Sequence, residues 1–181
     1  MYKLLKMGVD GSFLKVLENM DNNVYYCVKI DGVTPNVIPS KVGVKQGCVL
    51  SPLLFNLFLS DMPNIFNDIC DPIHITDNTI NCLMYADDLV LISQSANGLQ
   101  NCLNALQSYC NKWCLTVNTK KTKVIIFNQG GYKIKRFSFT FNNTVVEIVQ
   151  QYTYLGILFT ASGSFKPACL DLQNKAKKAF F

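Results

Sequence analysis

The stretch Ile80-Asn81-Cys82-Leu83-Met84-Tyr85-Ala86-Asp87-Asp88-Leu89-Val90-Leu91-Ile92 decides how the rest of this chain is read. Two apolar runs, Ile80 to Tyr85 and Leu89 to Ile92, flank a short acidic tip, a pattern that predicts a hairpin with carboxylates at its turn. Adjacent carboxylates between hydrophobic strands repel one another and resist desolvation, and a divalent cation relieves both problems at once. Asp is also a common turn residue, so Asp87 and Asp88 taken alone fit a plain turn as well as a metal site.

Downstream, Leu99, Cys102, Leu103, Leu106, Cys110 and Trp113 recur at three and four residues, which predicts an amphipathic helix with this stripe in the core. Val124 to Phe127 reads as a strand. Phe137, Phe139 and Phe141 alternate strictly, and Asn142-Asn143 turns the chain into Val145–Val149, a second hairpin. Tyr152 to Phe159 reads as a strand pair bent at Gly156, and the last fifteen residues as a helix. Upstream, Ser51-Pro52 looks like a helix start, with Ser51 accepting from an orphan backbone N–H and Pro52 at a position with no donor to lose. Leu53, Leu54, Leu57 and Phe58 then extend that helix to about Phe66, and residues 67 to 79 read as polar and broken. Val24 to Ile30 predicts a strand ending at Asp31-Gly32, and Val33 to Gly47, with two prolines and two glycines, strand fragments and loop. Residues 4–20 read as two short helices interrupted at Gly8 to Gly11. This order of elements is α+β with a largely antiparallel sheet, and no repeat or linker marks a domain boundary.

The chain has 181 residues, 49% of them hydrophobic and 16% charged, so disorder of the whole is excluded: enough apolar surface exists to offset ordering entropy. Seventeen basic residues against twelve acidic ones give +5, a balance that fits a phosphate-rich partner as well as an ordinary solvated surface. Lysines cluster at Lys120, Lys121 and Lys123 and at Lys175, Lys177 and Lys178. Eight cysteines occur without a CxxC pair and His74 stands alone, so a four-ligand zinc site has no support. The first residues lack the apolar stretch of a signal peptide, and no apolar run reaches the ~18 residues of a membrane span. Reduced thiols and an intracellular location, cytoplasmic or nuclear and not secreted, are the expectation.

Tyr85-Ala86-Asp87-Asp88, preceded by Val44-Lys45-Gln46-Gly47-Cys48-Val49-Leu50-Ser51-Pro52-Leu53, resembles the reverse transcriptase family. The Val-Lys-Gln-Gly-Cys form of the earlier block points to the non-LTR, LINE-type retrotransposon branch. Leu115-Thr116-Val117-Asn118 through Lys121-Thr122-Lys123 matches the block after the long palm helix, and Tyr154-Leu155-Gly156 matches the primer-gripping hairpin. Four blocks in order, over roughly residues 40 to 160, carry the resemblance.

The resemblance implies an RNA-directed DNA polymerase that joins a 3′-hydroxyl to an α-phosphate with two Mg²⁺ (or Mn²⁺) ions about 3.5–4 Å apart. Asp87 is then the principal metal ligand and Asp88 a weaker one. Tyr85 and Ala86 lie against the primer end, and Gln46 and Gly47 approach nucleotide and template. Lys121 matches the proton donor to pyrophosphate, with Lys120 and Lys123 as neighbours that compete for the role. Tyr154, Leu155 and Gly156 meet the primer backbone. The implied partners are RNA template, DNA primer and deoxynucleotides, with no membrane.

The resemblance also implies a third aspartate on an earlier palm strand, which this sequence does not contain. The expectation is therefore a partial polymerase palm lacking the first catalytic strand: a single truncated domain with 1–40 as the end of the fingers with a palm helix and strand, 41–160 as palm and 161–181 as the start of the thumb. Such a chain is expected to be inactive by itself. A non-catalytic module binding RNA or an RNA–DNA hybrid through the lysine clusters is one alternative. A relative of the group II intron maturases is another, although their second block more often reads Pro-Gln-Gly-Gly.

Overall fold

Two helices open the chain, α1 (Tyr2–Lys6) and α2 (Gly11–Asn22), separated where Gly8 and Gly11 interrupt the apolar pattern. The computed structural model describes residues 1–22, 24–27, 37–40, 43–45, 47–128 and 137–180. Two short strands follow, β1 (Tyr25–Tyr26) and β2 (Ile38–Pro39), paired antiparallel. The expected strand over 24–30 is described only to residue 27, and the Asp31-Gly32 turn lies outside the described residues.

Helix α3 (Ser51–Leu59) carries Pro52 in its first turn, as the sequence suggests. Its start differs in one respect: Leu50 is the cap residue, and the Ser51 hydroxyl donates to the Lys45 carbonyl (2.5 Å) instead of accepting from the helix. The helix also ends seven residues short of the expected Phe66. Pro63 lacks an N–H and disfavours α geometry in the residue before it, so the chain continues as a 3₁₀ turn, Met62–Phe66. The stretch read as broken contains a further hairpin, β3 (Ile73–Ile75) and β4 (Asn78–Ile80), in register Ile73 to Ile80. Its polar composition hid the alternation, and Thr76 makes the turn at φ 51°.

Strands β5 (Cys82–Tyr85) and β6 (Asp88–Leu91) form the expected acidic hairpin. Helix α4 (Ala96–Trp113) buries Cys102, Leu103, Leu106 and Cys110 of the predicted stripe and adds Tyr109, while Leu99 and Trp113, expected in the core, are only half-buried. Ser95 starts it by accepting from the Gly98 amide at 3.0 Å, a cap that contributes about 1 kcal/mol. Cys114 ends it in the left-handed region. Strand β7 (Lys123–Val124), shorter than predicted, runs parallel to β9 (Thr144–Ile148), which pairs antiparallel with β8 (Phe139–Phe141) across the Asn142-Asn143 turn. The side chain of Gln100 on α4 completes the β8 edge, accepting from the Thr140 amide and donating to its carbonyl, each at 2.9 Å. Strands β10 (Gln151–Tyr154) and β11 (Ile157–Thr160) form the last hairpin, and α5 (Lys166–Phe180) follows.

The architecture is a mixture of helices and small sheets, with β7–β9 as its parallel pair among otherwise antiparallel or hairpin pairings of the described residues. The chain forms two compact units. The first comprises Met1–Asn64 with Cys82–Val90, the second Ile65–Asn81 with Leu91–Phe181. In the first, Leu4, Leu14 and Leu17 make a core to which Val9, Leu50, Leu54 and Leu57 add. Lys3 is buried there; its ammonium donates to the Phe58 carbonyl, pairs with Asp61 and lies over the Phe58 ring, fastening α1 to α3. In the second, Phe66, Phe139, Phe141, Val146 and the α4 stripe are the core. The expectation of reduced thiols fails for one pair. Cys70 and Cys102 form a disulfide with Cα atoms 5.7 Å apart, a proximity made by the fold that a spacing of 32 residues does not disclose.

Candidate functional site

Alternation along β5 leaves Cys82 and Met84 half-buried and turns Leu83 and Tyr85 outward, with Tyr85 65% exposed. The turn that follows is two residues, Ala86 and Asp87, and Asp88 opens β6; all three are exposed. Ala86 takes φ 52° while Asp87 stays out of the left-handed region, a sign pattern that ordinarily places Gly at the first turn position. Holding an L-residue there costs about 1–2 kcal/mol. The hairpin thus presents two carboxylates to solvent, Asp87 from a strained two-residue turn and Asp88 from the first residue of β6. Among the described residues, no group of three His, Cys, Asp or Glu side chains could hold a metal ion. Two carboxylates suit Mg²⁺ or Mn²⁺, hard cations commonly bound by one or two protein carboxylates with waters and substrate phosphates filling the remaining positions. The donor set therefore fits one ion that shares its shell with a phosphate ligand.

Gly47 belongs to the same compact unit. Its φ of 80° requires glycine, and a Cβ added there would meet nothing within 4 Å, so the turn is open to solvent. Gln46 lies outside the described residues. Cys48 next to it has its thiol pKa pushed below the usual value chiefly by the Leu50 amide, against opposing burial, with help from Ser51 and Lys45. Burial alone pushes the thiols of Cys82 and Cys110 up. Beside this turn, Leu17, Met20, Cys48, Leu50 and Leu54 help line an apolar cavity of about 40 Å³. That is far below the ~300 Å³ of a ligand pocket, and the Gly47 turn beside it lies on an open surface.

The second unit holds Lys121, Tyr154, Leu155 and Gly156. The Asn118–Lys121 turn closes through the Lys121 amide on the Asn118 carbonyl (3.1 Å), and both Lys120 and Lys121 are exposed. Lys123, a competitor in the sequence, is committed elsewhere: its ammonium pairs with Glu147 at 2.5 Å. Leu155 and Gly156 have φ 47° and 82°, both positive, which makes a type I′ turn with Gly at the second position. Tyr152, which sequence reasoning passed over, and Lys175, named there only as part of a lysine cluster, hold these pieces in place. The Tyr152 hydroxyl donates to the Lys121 carbonyl (3.1 Å), joining the lysine turn to the β10–β11 hairpin, and Lys175 on α5 reaches the Gly156 carbonyl (3.4 Å) while pairing with Asp171 (2.6 Å). Tyr152 shares a strand face with Tyr154, the one signal that could have singled it out. Lys123 and Lys175, two cations of the RNA-binding alternative, thus already have partners within the chain.

A family model described as "Reverse transcriptase (RNA-dependent DNA polymerase)" matches residues 3–159. The chain is 26% identical over 181 residues to an RNA-directed DNA polymerase from mobile element jockey of Drosophila melanogaster, covering 96% of this chain and 19% of that protein. It is 28% identical over 172 residues to a retrovirus-related Pol polyprotein from type-1 retrotransposable element R2 of Popillia japonica, covering 91% and 28%. It is 31% identical over 135 residues to a probable RNA-directed DNA polymerase from transposon BS of Drosophila melanogaster, covering 70% and 14%. The chain spans less than a third of the length of each. No helix among the described residues is long and apolar enough to cross a membrane.

Proposed function

The chain belongs to the reverse transcriptase (RNA-dependent DNA polymerase) family, in its LINE-type, non-LTR branch, and on that premise we propose that it forms the greater part of the palm of an RNA-directed DNA polymerase. In this reading residues 1–40 close the fingers and begin the palm, 41–160 are palm, and 161–181 begin the thumb. The observation that carries it is the pair Asp87 and Asp88, exposed at the turn and the first strand residue of the β5–β6 hairpin, in the compact unit that also contains the open Gly47 turn.

Asp87 is the principal ligand for Mg²⁺ or Mn²⁺ and Asp88 the weaker one. When bound, the ion neutralises triphosphate charge and makes the primer 3′-hydroxyl more acidic. Tyr85 and Ala86 pack against the primer end. Gly47, with Gln46, lets the backbone approach nucleotide and template. Lys121 donates a proton to the departing pyrophosphate, and Tyr154, Leu155 and Gly156 steady the primer backbone. The partners are an RNA template, a DNA primer and deoxynucleotides. Because the described residues contain no three-ligand cluster, a second ion requires a further carboxylate.

Mn²⁺ titration followed by electron paramagnetic resonance tests the ligand assignment. The 181-residue polypeptide should bind Mn²⁺, and Asp87→Asn should weaken binding by about tenfold or more, the equivalent of one charged ligand lost at ~1.4 kcal/mol per decade. Unchanged binding in Asp87→Asn and Asp88→Asn would remove the basis for the assignment. On a primed RNA template with Mg²⁺ and four deoxynucleotides, this polypeptide alone should give no extension. Robust extension abolished by Asp87→Asn would show that its metal site is complete.

A further inference from the structure

Cys70 and Cys102 close a loop of chain that contains β3, β4, β5 and β6, and with them the acidic tip. Cys70 sits on the bend after the 3₁₀ turn and is 7% exposed, whereas Cys102 lies on the inner face of α4 and is fully buried. The remaining six cysteines, Cys27, Cys48, Cys82, Cys110, Cys114 and Cys169, are free thiols.

The two sulfurs are held together by more than their own bond. The Gln94 amide donates to the Asp71 carbonyl (2.8 Å) and the Gln94 side chain to the Pro72 carbonyl (2.6 Å). Asn101 donates to the Ile69 carbonyl (3.4 Å), and the Ser95 hydroxyl to the Asp71 carboxylate. The backbone approach is close: a Cβ at Gly98 would lie 2.8 Å from the Asp71 nitrogen. These contacts bring Cys70 to Cys102 whether or not the sulfurs are joined, so oxidation captures an arrangement that already exists. Access is asymmetric. Cys70 lies on an irregular segment between exposed Ile69 and exposed Asp71, and a small opening of that bend uncovers its sulfur without unwinding α4.

We infer that Cys70 and Cys102 are a thiol–disulfide modification site whose co-substrate is a low-molecular-weight disulfide such as oxidised glutathione, and that oxidation latches the loop carrying Asp87 and Asp88. The Cys70 thiolate, its proton released to water, attacks one sulfur of the small disulfide; an S–S bond forms to Cys70 and the other half leaves as a thiolate. The Cys102 thiolate then attacks Cys70 Sγ, forming the protein disulfide and expelling the second thiolate. In total two protein thiols are oxidised and one small disulfide is reduced to two thiols. The latch acts by restricting the unfolded and locally opened chain between the two cysteines. It rests on no functional role for the acidic pair.

The reduced 181-residue protein is incubated with oxidised glutathione, denatured, alkylated and mapped by mass spectrometry. Alkylatable thiols should fall from eight to six, with the loss confined to Cys70 and Cys102. The melting temperature of the same sample should rise by about 5–15 °C and return on treatment with a dithiol reductant. In Cys70→Ala/Cys102→Ala the oxidant should leave melting unchanged. Retention of all eight thiols, pairing among the other six cysteines, or a Cys70–Cys102 bond without a melting shift would each overturn the inference; the wild-type comparison alone decides these outcomes.

Discussion

Hairpins β5–β6 and β10–β11 have the same construction and opposite surroundings. Each joins two four-residue strands through a two-residue turn, and each holds a non-glycine residue in the left-handed region at the first turn position, Ala86 at φ 52° and Leu155 at φ 47°. In β10–β11 the second position is Gly156, Lys175 binds the turn carbonyl, and Tyr152 anchors the strand to the Lys121 turn. In β5–β6 the second position is Asp87 and a second acid follows. One turn is built with the residue that suits its geometry. The other keeps its second residue, Asp87, out of the left-handed region and holds Ala86 in the strained first position beside two exposed acids, which is the pattern expected where side chains at the tip matter more than local stability.

The largest effect that tests this contrast is on metal binding. Asp87→Asn/Asp88→Asn should abolish measurable Mn²⁺ affinity, whereas Lys121→Ala should leave it unchanged. Thermal melting of the double variant should stay level or rise slightly, because removing adjacent like charges relieves repulsion and the acids are exposed. A double variant that unfolds would make the acids structural and dissolve the distinction between the hairpins.

Next in size is backbone strain. Gly156→Ala should destabilise by about 1–2 kcal/mol through its positive φ alone, since an added Cβ meets nothing within 4 Å. Ala86→Gly should instead stabilise by about 1 kcal/mol, less the extra freedom that glycine gives the unfolded chain. Denaturant melts of the two variants check the signs. Equal signs would mean that the two turns are strained alike.

Tyr152→Phe should cost about 0.5–1.5 kcal/mol, the net worth of the hydroxyl bond to the Lys121 carbonyl, and should speed hydrogen exchange in the 118–121 turn. No change in that turn would leave the lysine block and the hairpin unconnected.

These variants also separate what the sequence discloses from what it conceals. The β5–β6, β8–β9 and β10–β11 hairpins were legible because apolar alternation meets turn residues, and α4 because its stripe repeats at helical spacing. The β3–β4 hairpin was hidden by Thr, Asp and Asn, which read as loop whether or not the strands pair. The early end of α3 needed the weight given to Leu57 and Phe58 transferred to Pro63. Ser51 was the right residue in the wrong role, since a hydroxyl beside a helix start can equally donate backwards, and only coordinates show the Lys45 carbonyl waiting for it. Among site residues, the acidic tip announced itself by chemistry. The Lys123–Glu147 pair is a product of long-range register, through the Lys123 to Glu147 pairing of β7 with β9, and has no local signature. The disulfide is of the same kind. The Tyr152 bond to the Lys121 carbonyl also spans distant chain, and its one local trace is the strand face Tyr152 shares with Tyr154.

The smallest expected effect belongs to Lys175, and it is informative for that reason. Its ion pair with Asp171 has the favourable order for a helix, acid before base at four residues, but both groups are substantially exposed and the bond to the Gly156 carbonyl is long at 3.4 Å. Exposed pairs of this sort contribute about 0.3–0.5 kcal/mol, so Lys175→Ala should shift a denaturant midpoint barely beyond error. What should change is local. The Gly156 carbonyl loses its side-chain donor, and hydrogen exchange at Leu155 to Ile157 should rise while exchange in β5–β6 does not. Lys177→Ala, a charge-matched control on the same helix, should leave both hairpins unaltered. If Lys175→Ala loosened nothing, the stability of the β10–β11 turn would come from Gly156 and the type I′ geometry alone, and the difference between the hairpins would reduce to one residue in each turn: glycine in one, aspartate in the other.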